Sequence, residues 1–406
     1  MTAAAGSKLG KRTVRDVDVR GKRVLVRADL NVPLGETGGA IVVADDARIA
    51  SSVPTIELLR DAGAKVIVCS HLGRPNGARV PELSLAPVAK RLGELLSTDL
   101  TLAPGLVGPE VEALVGSLGD GDVLMLENSR FEPGETKNDP QLAKRLARLA
   151  DVFVDDAFGA CHRAHVTTEG VAHHVDVAVA GLLLEREVVT LRGIVENPDR
   201  PLVVVIGGAK VSDKIAVIDS FLQVADTILI GGAMCFCFFK AQGRSTGDSL
   251  LEREGVELAR AALDKAERTG CAIGLPTDLK LGREFSADTE TRDLDGVDVP
   301  DGWMGLDIGN ASAEAYAAEV ARAGTIFWNG PMGAFELEPF SHGTRRVAEA
   351  VAGAAGVSVV GGGDSAAAIA QFGLADAITH LSTGGGASLE LLEGKPLPGV
   401  EALDDA

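Results

Sequence analysis

Two lysines four residues apart, Lys210 and Lys214, follow a glycine pair in VVVIGGAKVSDK, a stretch that begins at Val203. A β-branched run stopped by glycine predicts a buried strand, and Val211, Ile215, Ile218, Leu222 and Ala225 then recur at helical spacing. A helix start carries unpaired N–H groups and the positive end of the dipole, and glycine lets an anion come close to the backbone. On this reading Lys210 and Lys214 share one helical face and both address a phosphate. An ordinary βα turn with two solvated lysines fits the same residues. The Walker pattern is not met, since that needs Gly-Lys-Ser/Thr after a longer loop.

A second set of candidates lies at the ends of apolar runs in the first half of the chain. KRVLVRADLNVP ends in Arg27, Asp29 and Asn31, and AKVIVCSHLGRP ends in His71, Gly73 and Arg74. DVLMLENSRFEPGE ends in Glu127, Asn128 and Arg130, and DVFVDDAFGACHRAH in Asp156, Gly159, His162, Arg163 and His165. Arg48 falls in the early turn of a helix expected from DDARIASSVPTIELLRDAG, with Asp45 or Asp46 as its cap. Any one arginine suits a solvated loop. Arg27, Arg48, Arg74, Arg130 and Arg163 together predict one basic crevice, and guanidinium forks bind phosphate and carboxylate bidentately, so a small, multiply anionic ligand is expected. His71, His162 and His165 are either further donors or packed rings. No cysteine or carboxylate stands at zinc spacing.

The elements needed to place these residues alternate strand and helix, which predicts parallel sheets covered on both faces, with ligands beyond the carboxyl ends of the strands. Gly35, Gly38 and Gly39 mark a hairpin-like passage, and helices are expected from about Ser84 to Ser97 and over PQLAKRLARLAD. The strand VAVAG leads into LLLEREVVTLRGIVENPDRP, a helix stopped by Asn197 and Pro198 that would bridge two lobes. The second lobe repeats the plan, but glycines replace arginines at the strand ends, as in TILIGGAMCF, TIFWNGPMGAFE, VSVVGGGDSAAAIA and ITHLSTGGGASLELL. Bare backbone of that kind admits a nucleotide phosphate chain. Asp364, after three glycines, either holds magnesium or caps a helix, and Glu336 either accepts from a ribose or is an exposed turn carboxylate. The acidic run from Asp288 to Asp301 reads as a solvated loop, and LLEGKPLPGVEALDDA as an extended segment lying on another surface.

Composition narrows the class. A chain of 406 residues suits two or three domains, and 46% hydrophobic residues with 49 glycines suit an α/β protein rich in strand-to-helix turns. A formal charge of -19 and only 4% aromatics argue against nucleic acid and anionic membranes as partners. The N-terminal MTAAAGSKLGKRTV has no apolar core of signal length and no later run is long enough to span a bilayer, so the cytoplasm is expected. Cys69, Cys161, Cys235, Cys237 and Cys271 lack C-x-x-C pairing and read as reduced, mostly buried thiols.

Taken together, VLVRADLNVP, SHLGRP, LENSRF, DAFGACHRAH, GGAKVSDK, LDIGN, WNGPMGAFE, GGGD and HLSTGGGASLELLEGKPLPGV occur in the order found in phosphoglycerate kinases, from near residue 20 to near residue 400. The chain resembles that family over essentially its whole length. The resemblance implies two doubly wound, Rossmann-like α/β lobes: residues 1–182 for 3-phosphoglycerate, a linker helix over 183–200, and residues 201–389 for the nucleotide. Residues 390–406 would cross back to the first lobe. It also implies reversible transfer of the acyl phosphate of 1,3-bisphosphoglycerate to ADP, in glycolysis and gluconeogenesis, with Mg2+ and by a monomer. The matched substrate positions are Arg27, Asp29, Asn31, Arg48, His71, Arg74, Arg130 and Arg163. Those for the nucleotide are Lys210, Lys214, Gly232, Gly305, Asn329, Pro331, Glu336, Gly362, Gly363, Asp364 and Ser365, with Asp364 at the metal. Arg48, Lys210, Gly362 and Gly385 would serve the transfer itself. The family usually has Pro at Asn310, often Gly at Ala233, and commonly Val at Ala334, which leaves nucleotide selectivity open. Cys161 stands where Ala or Thr is usual.

Two other classes compete. A nicotinamide oxidoreductase would need G-x-G-x-x-G after its first strand and an acidic residue about twenty positions on, which the GGAK loop does not supply. A two-lobed solute-binding protein would close on an anion without chemistry, but such proteins are usually exported.

Overall fold

The computed structural model describes residues 8–406. They divide into two compact units, one of residues 8–189 with Pro396–Ala406 and the other of Thr190–Lys395.

In the first unit, β1 (Arg23–Arg27), β4 (Lys65–Cys69), β5 (Thr101–Leu102), β6 (Val123–Met125), β7 (Val152–Asp155) and β8 (Ala178–Ala180) form one parallel sheet in the order β5-β6-β4-β1-β7-β8. β2 (Leu34–Thr37) and β3 (Ala40–Val43) make the expected hairpin outside it. Val24, Val26, Val66, Val68 and Met125 project from the sheet into a core shared with Ile56, Leu59, Val88 and Leu92 of the Ala47–Asp61 and Ala86–Leu96 helices. Each such fully buried aliphatic side chain contributes about 1.5–3 kcal/mol. Successive connections leave β1 and β7 in opposite directions across the sheet, so a crevice opens at their carboxyl ends, where Arg27 is level with Cys69 and Asp155.

The second unit repeats this with β9 (Leu202–Ile206), β10 (Thr227–Ile230), β11 (Ala272–Gly274), β15 (Thr325–Asn329), β16 (Val357–Gly361) and β17 (His380–Leu381), ordered β11-β10-β9-β15-β16-β17. Its reversal point lies between β9 and β15, whose ends carry Gly207 and Gly330. β12 (Leu279–Gly282), β13 (Thr291–Leu294) and β14 (Met304–Ile308) form a separate antiparallel sheet. The acidic run from Asp288 to Asp301 is therefore no plain loop: Thr291–Leu294 within it pairs antiparallel with β12 through the backbone, although its first three side chains are exposed.

The C-terminal segment is also less extended than expected. Pro398–Glu401 forms a short helix, with proline at a position where its missing N–H costs nothing. The segment docks within the first unit through Gly399 N–H to Cys161 O (2.9 Å), Asp404 N–H to Ala178 O (2.9 Å), and Lys11 Nζ to Asp405 (2.7 Å).

Asp156 anchors the Leu182–Glu196 helix, its Oδ1 accepting from Leu183 N (2.8 Å) and Leu184 N (3.3 Å). Burial pushes this carboxyl up to about 7, against the hydrogen bonds of Thr55 and of the Leu184 and Leu183 backbone. The folded chain thus holds the proton more tightly than the unfolded chain. That stabilisation is complete below the unfolded value of 3.8 and is lost as pH rises through about 7. Asn keeps the acceptor and removes the titration. Asp156→Asn should therefore gain about 1 kcal/mol or more relative to wild type between about pH 5 and pH 8, read by denaturant unfolding. A difference that stays constant with pH would contradict the assignment.

Candidate active site

At the carboxyl edge of the first sheet, Arg74, Arg130, Arg163 and His165 line one pocket of 200 Å³ with Asn76, Glu132 and Thr136. Arg130 is held by its Nη1–H to Gly73 O (2.7 Å), and Arg163 donates from Nε to His162 Nε2 (3.1 Å). Burial, then the guanidinium groups of Arg130, Arg27 and Arg163, pull His165 down to about 4, so its ring is neutral at pH 7 while the arginines stay charged. The pocket is a guanidinium cluster that attracts a small anion.

Arg48, Asp29 and His71 continue from it. Arg48 Nη1 donates to Asp29 Oδ2 (2.7 Å), and Asp29 Oδ1 lies 4.0 Å from His71 Nδ1. Asn31 Oδ1 accepts from Gly73 N (2.9 Å), tying the β1 and β4 loops together. Arg27 departs from the expected crevice lining. It is 1% exposed and lies beneath the pocket, because it ends a central strand buried on both faces.

In the second unit the strand-end loops are laced by main-chain bonds: Gly208 N–H to Pro331 O (3.1 Å), Gly232 N–H to Met332 O (2.8 Å) and Met234 N–H to Gly208 O (3.0 Å). Gly330 has φ +93°, and a Cβ there would sit 2.2 Å from Gly207 O. Only glycine permits that approach. The loops floor a cleft of 760 Å³ that includes Gly208, Gly232, Gly305, Pro331, Glu336 and Asp364, with Phe236, Met304 and Phe335 on its walls. Leu250 and Phe285 stand at the cleft 63% and 59% exposed, large apolar groups that a flat ring could cover.

Lys210 and Lys214 do not share a helical face as expected. The helix starts only at Ile215, and Val211 to Lys214 form a turn because the buried Val211 turns inward ahead of it. Lys210 is exposed just ahead of that turn, and Lys214 is the residue preceding the helix. Burial lowers the Lys214 ammonium, while the charges of Asp364 and then Asp213 hold it up. Asp364 is not the helix cap: Gly362, φ +93°, takes that place, and the exposed Asp364 sits in the first turn.

Several expected nucleotide residues support the cleft instead of lining it. Asn329 is buried with Nδ2–H to Gly361 O (2.8 Å), and Ser365 Oγ accepts from Gly330 N (2.6 Å). Gly363 is exposed in the turn after Gly362, and Gly385, φ +53°, precedes the Gly386–Leu392 helix. Ala233 and Ala334 line the cleft, whereas Asn310 opens the Asn310–Val320 helix. Cys161 is fully buried, hydrogen-bonded to Asp155 Oδ2 and Ala157 O, and burial pushes its thiol far up, so it is no reactive thiolate. The remaining cysteines are free and buried. Sequence reasoning missed Glu135 and Thr167 under the arginine pocket, and the apolar residues Leu250, Phe285 and Phe335 at the cleft.

Among the described residues no helix is long and apolar enough to cross a membrane. Residues 14–395 match the family model described as Phosphoglycerate kinase. Similar curated proteins include the phosphoglycerate kinases of Picosynechococcus sp., 51% identical over 403 residues (98% of this chain, 100% of the relative), and of Chloroflexus aggregans, 52% identical with the same coverage. Among solved structures, phosphoglycerate kinase from Coxiella burnetii aligns with TM-score 0.87 at 41% identity, covering 97% of this chain and 98% of that one. The enzyme from Pyrococcus horikoshii aligns with TM-score 0.83 at 31% identity over the same shares. A glycine-floored cleft and a guanidinium pocket on two parallel-sheet units thus go with sequence identity along the full length: the chain belongs to the phosphoglycerate kinase family and is an ATP:3-phosphoglycerate 1-phosphotransferase of glycolysis.

Proposed function

We propose that the first unit holds 3-phosphoglycerate or 1,3-bisphosphoglycerate and that the second holds ADP or ATP. The observation that carries this division is the contrast between the two sites: three arginines around a small pocket in one, bare glycine backbone and apolar walls in the other. Arg74, Arg130 and Arg163 take the glycerate phosphate, while Asp29, Asn31, Arg48 and His71 orient the glycerate, with Arg27 behind them. Gly232, Gly305, Pro331 and Glu336 seat the nucleoside, and Lys214 with the Gly362, Gly363 and Asp364 backbone faces its phosphates; Asn329 and Ser365 hold that backbone in place.

Asp364 suits Mg2+, since it is one exposed carboxylate on the cleft beside the phosphate turn, and magnesium is commonly held by one or two carboxylates plus substrate phosphates. When bound, the ion neutralises phosphate charge. Everything else falls to the chain's own groups. Transfer of a phosphoryl group needs in-line placement and charge neutralisation, and no general base is required towards ATP because the attacking ADP oxygen is already anionic. Lys210 and Arg48 neutralise the group in transit, the amides at Gly362 and Gly385 serve the transfer from the nucleotide side, and the leaving charge goes to the glycerate carboxylate.

Ligands held on separate units meet only if the chain closes on both. We assign the hinge to residues 183–198 and 382–386, with water excluded on closure. Small-angle scattering checks this: the radius of gyration should fall when both substrates are present and not with either alone, and an unchanged radius would refute closure. The chain acts as a cytoplasmic monomer on small molecules, in keeping with its charge of -19, which repels nucleic acid and anionic lipid.

A further inference from the structure

Beneath the arginine pocket runs a buried chain of hydrogen bonds that the transfer chemistry does not use. Arg27, 1% exposed, donates from Nε to Thr167 Oγ1 (2.9 Å), from Nη1 to Ala28 O, and from Nη2 towards His71 Nδ1 (3.0 Å). Thr167 Oγ1 in turn lies 2.6 Å from Glu135 Oε1. Glu135 is itself 1% exposed, and its Oε2 has no hydrogen-bond partner among the described residues. A carboxylate so buried and half-satisfied costs folding free energy, so it calls for a functional account.

Elementary donor counting fixes the protons along this chain. A guanidinium has only donors and does not deprotonate, so whatever it meets must accept. His71 Nδ1 is therefore bare, and the ring proton sits on Nε2. Thr167 spends a lone pair on Arg27, so its single O–H points to Glu135. The carboxylate balances the buried Arg27 charge and, through Thr167, sets the plane of the guanidinium.

We propose that Glu135 and Thr167 are positioning residues of the glycerate pocket: by orienting Arg27 they hold His71 as the neutral imidazole that offers an Nε2–H donor. The charged groups around His71 are Arg27, Arg48, Arg130 and Asp29, with His165 beside them, and burial followed by the three guanidinium groups keeps the ring neutral. A neutral donor recognises a hydroxyl or carboxylate oxygen of the glycerate without adding a pH-dependent charge to the pocket. The tautomer stands on the hydrogen bonds alone, whereas its use rests on the reading that His71 meets the glycerate.

Nitrogen-15 NMR of the full chain reads the tautomer, and steady-state kinetics read its use. In wild type the His71 Nδ1 resonance should be that of an unprotonated, accepting nitrogen and Nε2 that of a protonated one, with both shifting on addition of 3-phosphoglycerate. Thr167→Val and Glu135→Gln should mix the tautomers and raise KM for 3-phosphoglycerate about 10-fold while kcat stays within about twofold, and Thr167→Ser should restore KM. Should Glu135→Gln not fold, the nearly isosteric Thr167→Val carries the test. A protonated Nδ1 in wild type, or an unchanged KM in Thr167→Val, overturns the proposal. The expected tautomer without any shift on adding 3-phosphoglycerate overturns instead the placing of His71 at the substrate.

Discussion

Lys210→Ala is expected to lower kcat by about 10²-fold or more while leaving KM for the nucleotide within a few-fold, with no loss of thermal stability. The stability half of this follows from placement. Lys210 is exposed on the turn after β9, its ammonium makes no hydrogen bond among the described residues, and Glu252 is the carboxylate that feels its charge. Truncating such a side chain costs little folding free energy, since exposed ion pairs contribute ~0–1 kcal/mol. The kinetic half follows from the reaction. Charge spreads over the equatorial oxygens of the phosphoryl group in transit, and an ammonium that meets it only then stabilises the transition state and not the ground state. Stopped-flow or coupled kinetics on the purified variant check it. Near-normal turnover would remove Lys210 from the reaction.

Arg48→Ala should show a similar fall in kcat, about 10²-fold, but with a different companion effect. Arg48 Nη1 is bound to Asp29 Oδ2 (2.7 Å), and the Asp29 side chain is only 11% exposed. Removing the guanidinium leaves that carboxylate without its partner at the proposed glycerate site, so KM for 3-phosphoglycerate should rise as well. Arg48→Lys keeps the charge but not the fork. It should recover part of kcat and little of KM if Asp29 needs the guanidinium plane. A variant with unchanged kcat and raised KM would make Arg48 a binding group only.

The strand ends were legible because glycine, arginine and histidine interrupt β-branched runs there, and parallel sheets bring every such end to one edge. That reasoning brings Arg74, Arg130 and Arg163 to one pocket and the glycines of β9, β10 and β15 to one cleft. It failed at Lys210 because periodicity does not distinguish a turn whose first apolar residue is buried from the first turn of a helix; Val211 is buried in either case. It failed at the acidic run because β13 pairs through its backbone, and charged side chains on an exposed edge strand carry no alternation of burial. Glu135 and Thr167 were out of reach for a third reason. Thr167 is 140 residues from Arg27 and 32 from Glu135, so the network exists only once the tertiary fold has formed.

On the proposed division, the two reactants are recognised on different units. Hydrogen–deuterium exchange with one ligand at a time tests it most directly. With 3-phosphoglycerate alone, protection should rise in residues 71–77, 128–136 and 163–168. With ADP and magnesium alone it should rise in residues 207–214, 330–337 and 361–366. If 3-phosphoglycerate alone protected the second set and left the first unchanged, the assignment of the arginine pocket would be wrong.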